Sequence, residues 1–174
     1  MLDKLIEFLL NIIDQLIPFK ILKEYEEGVL FRLGRYRKVL NAGIHFKIPF
    51  FDDIDSYPVV YTTITLPPQS IVTMDGICVV IKGHIKYKIN DVKIFAVDVY
   101  DAIDALSDMT GGVIYEEIKS KTWQEGYSSD LSMILTKKSK IEAKKWGIHV
   151  EKVTITDFSK MSSLRLFNEH QALI

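Results

Sequence analysis

The segment spanning residues 77–89 constrains this chain more than any other. Ile81, Gly83, Ile85, Tyr87 and Ile89 fall on one face of an extended strand, and Lys82, His84, Lys86 and Lys88 fall on the other. A period of two held over this length has no helical solution. It demands a sheet with one packed face and one wet, basic face. Asp75-Gly76 just upstream is a turn dipeptide, so residues 70–74 are expected to fold back against this strand as a long hairpin.

The same logic reads backwards along the chain. Val29, Phe31 and Leu33 alternate with Leu30 and Arg32, Gly34 turns the chain toward 36–40, and Asn41-Ala42-Gly43 makes a second turn. Residues 44–51 continue as a short strand interrupted by Pro49. Residues 57–66 alternate again, and Pro67-Pro68 is expected to end that strand. Helical character begins after Asn90-Asp91, which are good caps, with short helices over 92–98, 101–107 and 112–122. A longer helix is expected from Ser129-Asp130 to Gly147, with Leu131, Ile134, Leu135 and Ile141 at helical spacing. Residues 148–158 form a last strand, and the change of apolar parity between Val150 and Val153 points to a bulge or to packing on both faces. This order of elements predicts an α+β fold with an antiparallel sheet.

The N-terminus is different. Residues 1–17 read MLDKLIEFLLNIIDQLI. On a helix, Asp3, Lys4, Glu7, Asn11, Asp14 and Gln15 form a narrow polar stripe. Leu2, Leu5, Ile6, Phe8, Leu9, Leu10, Ile12, Ile13, Leu16 and Ile17 cover the rest, and Pro18 stops the helix. At about 1.5 Å per residue it reaches roughly 25 Å, short of a hydrocarbon core of about 30 Å. Burial against the rest of a soluble protein and a position in the membrane interface both satisfy this pattern. An apolar arc this wide exceeds what one small domain covers, which favours membrane or oligomer burial. The stripe is net acidic, so such an anchor would rest on apolar area and not on charge.

Composition removes several function classes. Twenty-two Lys and Arg against 23 Asp and Glu leave a net charge of −1, with no basic excess for a generic nucleic-acid binder. A single cysteine excludes a disulfide framework. His45, His84, His149 and His170 lack metal-ligand spacing, and Cys78 sits inside the expected strand as a small apolar residue. Nothing in the pattern supplies a nucleophile–base pair, a metal site or a cofactor loop.

Several motifs then coincide. Glu26-Glu27-Gly28-Val29-Leu30-Phe31-Arg32-Leu33-Gly34-Arg35, followed by Gly43-Ile44-His45-Phe46-Lys47-Ile48-Pro49-Phe50, resembles the opening of the SPFH (band-7) superfamily of stomatins, prohibitins and flotillins. Pro67-Pro68-Gln69-Ser70-Ile71-Val72-Thr73-Met74-Asp75-Gly76 and Tyr87-Lys88-Ile89-Asn90-Asp91 resemble the stomatin hairpin. Trp146-Gly147-Ile148-His149-Val150, running on to Val153-Thr154-Ile155-Thr156-Asp157, is similar to the family's helix-to-strand close. One departure is Asn41-Ala42-Gly43, where the family carries Gly-Pro-Gly.

The resemblance implies an SPFH domain of two α+β subdomains, 24–66 and 67–160. A membrane-associating helical segment, 1–23, would precede them, and a tail, 161–174, would open a further helix where family members carry a long Ala/Glu-rich one. It also implies a non-enzymatic scaffold on the cytoplasmic face of a membrane, packed side by side into a ring or cage that organises lipid or client membrane proteins. The alternative is a module regulating one membrane protease or channel without a ring. In the family the loop after the first hairpin lies near the bilayer, which singles out Phe50 and Phe51, with Tyr25 and Phe46 beside them; an aromatic core at the junction of the subdomains is the other reading of these residues. The acidic loop of Asp52, Asp53 and Asp55 reads as a solvated turn or a salt-bridging edge. The basic helix bearing Lys137, Lys138, Lys140, Lys144 and Lys145 reads first as a solvated face, with Lys138 able to pair with Glu142; the alternative is that this basic face meets the acidic loop of the next copy.

Overall fold

The strand around Ile85 becomes the centre of the largest sheet in the computed structural model, which describes residues 17–126 and 130–161. The chain runs β1 (Phe19–Leu22), β2 (Glu26–Arg32), β3 (Arg35–Leu40), β4 (Gly43–Phe46), β5 (Asp52–Pro58), β6 (Thr62–Val72) and β7 (Cys78–Ile89). A π-helical turn (Ile94–Asp98), helix α1 (Ala102–Lys119), a single turn (Trp123–Gly126), helix α2 (Leu131–Ala143), a 3-10 turn (Lys144–Trp146) and β8 (Ile148–Lys160) follow. Strand pairing is antiparallel throughout, in the orders β1–β4, β3–β2–β5 and β6–β7–β8. The chain is therefore α+β, as its patterning implies.

Along β7, Val79, Ile81, Gly83, Ile85, Tyr87 and Ile89 are buried while Lys82 and Lys86 are exposed. Helices α1 and α2 cover the packed face, and Ile81, Ile85, Leu106, Ile118, Leu135, Val150 and Val153 fill the interior. Each such side chain contributes about 1.5–3 kcal/mol by leaving water. The expected bulge is present: Lys86 pairs with Lys152 and Tyr87 with Val150, leaving Glu151 as the extra residue. It keeps Val150 and Val153 both buried. Gly147, with φ of 73°, closes the helical segment in the left-handed conformation that glycine accommodates.

Several expectations change. Pro67-Pro68 does not end a strand; it lies within β6, where three steps from Leu66 to Gln69 oppose two from Gly83 to Ile81. β6 is an edge strand, so a bulge with no N–H to donate breaks no ladder on its outer side. Residues 101–107 and 112–122 are not separate short helices. α1 runs through Gly111-Gly112, and Gly111 is where Gln69 of the β6 bulge presses closest, 2.3 Å from where a Cβ would stand. Asp52, Asp53 and Asp55 lie on a strand, β5, not in a loop.

The N-terminal part has its own small core of Leu22, Leu30, Leu40 and Ile54. It is tied to the rest by the edge-to-face rings of Tyr57 and Phe95, 5.4 Å apart, and by the Val59 N–H donating to Tyr25 O at 2.9 Å. Phe19–Leu22, inside the segment 1–23 read as membrane-associating, is a strand paired with β4. The anchor positions Leu2 to Leu16, Ser129 and the tail 162–174 lie outside the described residues.

Candidate membrane-facing surface

Strands β1 and β4 are short, and their register decides what they present. Phe19 pairs with Phe46 and Ile21 with Ile44. Side chains alternate across a strand, so these four share one face, while Leu22 turns inward to the small core. The outward four are exposed by 50% (Phe19), 60% (Ile21), 75% (Ile44) and 73% (Phe46). Four large apolar side chains placed together in water form a patch of the kind that marks a membrane or partner contact.

A second group adjoins this end of the chain. The Asp52 N–H donates to Ile48 O at 2.9 Å, closing a turn that carries Phe50 and Phe51. Phe50 is held at a φ of 66°, uncommon for a bulky residue, and stands largely in solvent. The Leu33 N–H donates to Phe51 O at 2.8 Å, which fastens the exposed Leu33 of the β2–β3 turn beside the two phenylalanines.

Asp52 organises that loop. Arg32 Nε and Nη2 donate to its Oδ1 and Oδ2 at 2.6 and 2.8 Å, and the Ile48 N–H donates to Oδ2 at 3.0 Å. The Arg32 bond, reinforced by the Ile48 amide, holds the Asp52 carboxyl down at about 2. Its charge is thus engaged inside its own subunit. Asp53 and Asp55 remain outward on the edge strand β5, and partial desolvation, aided by repulsion from Asp53, pushes the Asp55 carboxyl up.

On the basic helix the pairing differs from the expected i,i+4 bridge. Lys138 reaches across to α1 and donates to Glu117 Oε2 at 2.5 Å, while Lys121 sits 3.2 Å from Oε1 of the same carboxylate. Glu142 is taken by Lys145 at 2.7 Å. Lys137 and Lys140 instead line a groove with Met133, Ile141 and Lys152, and Lys144 begins the 3-10 turn. Of the charged positions named for contacts between copies, the structure commits Asp52, Lys138 and Lys145 within the chain and leaves Asp53, Asp55, Lys137 and Lys144 outside the described ion pairs.

Among the other singled-out residues, Cys78 is a partly buried free thiol at the start of β7. His45 Nε2 donates to Asn41 O at 2.6 Å, bracing the turn before β4. Among the described residues no helix is long and apolar enough to cross a membrane.

The family model described as SPFH domain / Band 7 family matches residues 20–164. The chain belongs to this family. Among its relatives, an uncharacterised protein of Methanocaldococcus jannaschii is 30% identical over 153 residues, covering 83% of this chain and 74% of that protein. Stomatin-4 of Caenorhabditis elegans is 26% identical over 142 residues, 79% of this chain and 50% of the relative. Stomatin of Mus musculus is 25% identical over 145 residues, 81% of this chain and 51% of the relative. The chain thus spans about half the length of these stomatins. It is a stomatin-like member of the SPFH superfamily.

Phe50, Phe51 and Phe46 were reached through the family resemblance, with burial at a subdomain junction left open, and all three stand exposed. Phe19, Ile21 and Ile44 were not reached, although Phe19/Ile21 and Ile44/Phe46 each carry two apolar residues at period two. Four residues per strand are too few for that signal to stand out.

Proposed function

We propose that this chain is a membrane-associated, oligomeric scaffold that organises a lipid patch or client membrane proteins, and that its work is non-covalent. One observation carries this reading: the exposed apolar quartet of Phe19, Ile21, Ile44 and Phe46. In the reading, this face rests against a leaflet on the cytoplasmic side, Phe50 and Phe51 dip beside it, and residues 1–17 lie in the interface as an anchor. Copies then pack laterally into a ring or cage, with Asp53 and Asp55 of one copy meeting Lys137 and Lys144 of the next. A single interfacial contact is marginal, and many copies acting together hold persistently. Family membership and the stomatin relatives support this reading.

Flotation with liposomes and mass measurement of detergent-extracted protein test the two halves separately. Phe19→Ser with Phe46→Ser, and independently Leu9→Asp with Ile13→Asp, should each release protein from the floating fraction while the domain stays folded. Unchanged flotation of both variants removes the membrane half. A strictly monomeric wild-type extract removes the scaffold half.

A further inference from the structure

The cleft between β3 and β4 is built in a way that the apolar face alone does not explain. Adjacent residues of a regular strand point to opposite faces. In β3, however, Lys38 pairs with Leu30 and Tyr36 with Phe31, so Arg37 is an extra, bulged residue. Bulges of this kind re-aim a side chain. Here the result is that consecutive cations, Arg37 and Lys38, both line one cleft of about 600 Å³. Both are exposed, and neither enters an ion pair among the described residues. The third cation there, Arg32, already has its guanidinium filled by Asp52.

Ile44 and Phe46, two members of the exposed apolar quartet, line the same cleft. Paired cations and exposed apolar side chains therefore share one cleft. That combination matches a phospholipid at an interface, with an anionic headgroup at the cations and acyl chain along the apolar side chains.

We propose that the Arg37–Lys38 cleft is a binding site for anionic phospholipid headgroups. The inference rests on the membrane reading above and adds lipid selectivity to it. The apolar quartet would supply adhesion to any bilayer, and the bulged cation pair would make that adhesion depend on lipid charge. A cation near an anionic leaflet is worth about fivefold in partitioning, so the pair should give roughly a 30-fold preference at low salt. Screening should erode it as ionic strength rises.

The test is co-sedimentation of the full chain with vesicles of phosphatidylcholine alone and of phosphatidylcholine mixed with phosphatidylglycerol. The wild type should favour the anionic vesicles by roughly 30-fold. Arg37→Gln with Lys38→Gln should lose that preference and keep its binding to phosphatidylcholine, and each single variant should lose about fivefold. Arg35→Gln, on the same strand but outside the cleft, should keep the full preference. Equal wild-type binding to both vesicles, or a preference that survives in the double variant, overturns the inference while leaving the membrane reading intact. So does an Arg35→Gln loss as large as that at Arg37, which would mean diffuse charge. Release of vesicle-bound protein by inorganic phosphate at constant ionic strength would assign the cleft to a soluble phosphate instead. Wild-type protein that binds neither vesicle overturns the membrane reading itself.

Discussion

Arg32 and Asp52 meet at 2.6 Å, from the end of β2 to the start of β5, and the same carboxylate receives the Ile48 N–H from the loop that carries Phe50 and Phe51. One ion pair therefore closes a sheet and sets the position of an exposed aromatic loop. Asp52 is buried at its side chain while Arg32 stays partly in water.

Acid should undo this arrangement first. The Asp52 carboxyl sits below its ordinary value of 3.8, at about 2, so the folded form favours the ionised group. Its stabilising contribution is fully present above the ordinary value and is lost as pH falls from there through about 2. Asp52→Asn should flatten the fall of the thermal midpoint across that window and loosen the Phe50 loop. Calorimetry across the acid range checks the first, and proteolysis at the loop the second.

Gly83 packs where a side chain has no room. A Cβ there would lie 2.8 Å from the backbone oxygen of Thr154 on β8, and backbone cannot swing aside as a side-chain tip can. Gly83→Val should cost about 2–4 kcal/mol and disturb the β7–β8 register, despite valine's preference for strands. Chemical denaturation with amide exchange on β8 measures both effects.

Leu135 is fully buried on α2, the helix that packs on both α1 and β8. Leu135→Ala should destabilise by about 2–5 kcal/mol through lost burial and the cavity left behind. The equivalent change at Met133, which is exposed on the same helix, should stay within about 0.5 kcal/mol. Urea midpoints of the two variants provide the comparison.

Glu117 holds two lysines, Lys138 of α2 and Lys121 just past the end of α1, and is itself nearly buried. Glu117→Ala leaves both ammonium groups without their acceptor, whereas Lys138→Ala leaves the Lys121 contact in place. The first should cost about 1–3 kcal/mol and the second clearly less. A double-mutant cycle in denaturant gives the coupling directly.

The membrane face was only half legible from the residues. Phe50 and Phe51 stand out only through the family resemblance, which places their loop near the bilayer. Phe19 and Ile44 do not, because β1 and β4 each have four residues and their partnership spans a gap that no local periodicity reports. Charge was harder still. Lys138 and Glu142 satisfy the i,i+4 rule on paper, yet Glu117 of another helix holds that lysine in the fold.

What the sequence determined by itself was the alternation of water and interior along each element. It marked β7, its hairpin, the change of parity between Val150 and Val153 and the Gly147 cap, since each is a local response of backbone and side-chain direction to burial. It also carried the family motifs, which depend on residue order alone. The tertiary structure decided whatever depends on a neighbour distant in the chain. An edge position lets Pro67-Pro68 sit within a strand, close approach of Gln69 accompanies Gly111 inside a helix, and pairing of β1 with β4 gathers four apolar side chains into one exposed face. Period records which side of a strand or helix is dry, but it carries no information about which other segment lies there. That choice is made only when the chain closes on itself.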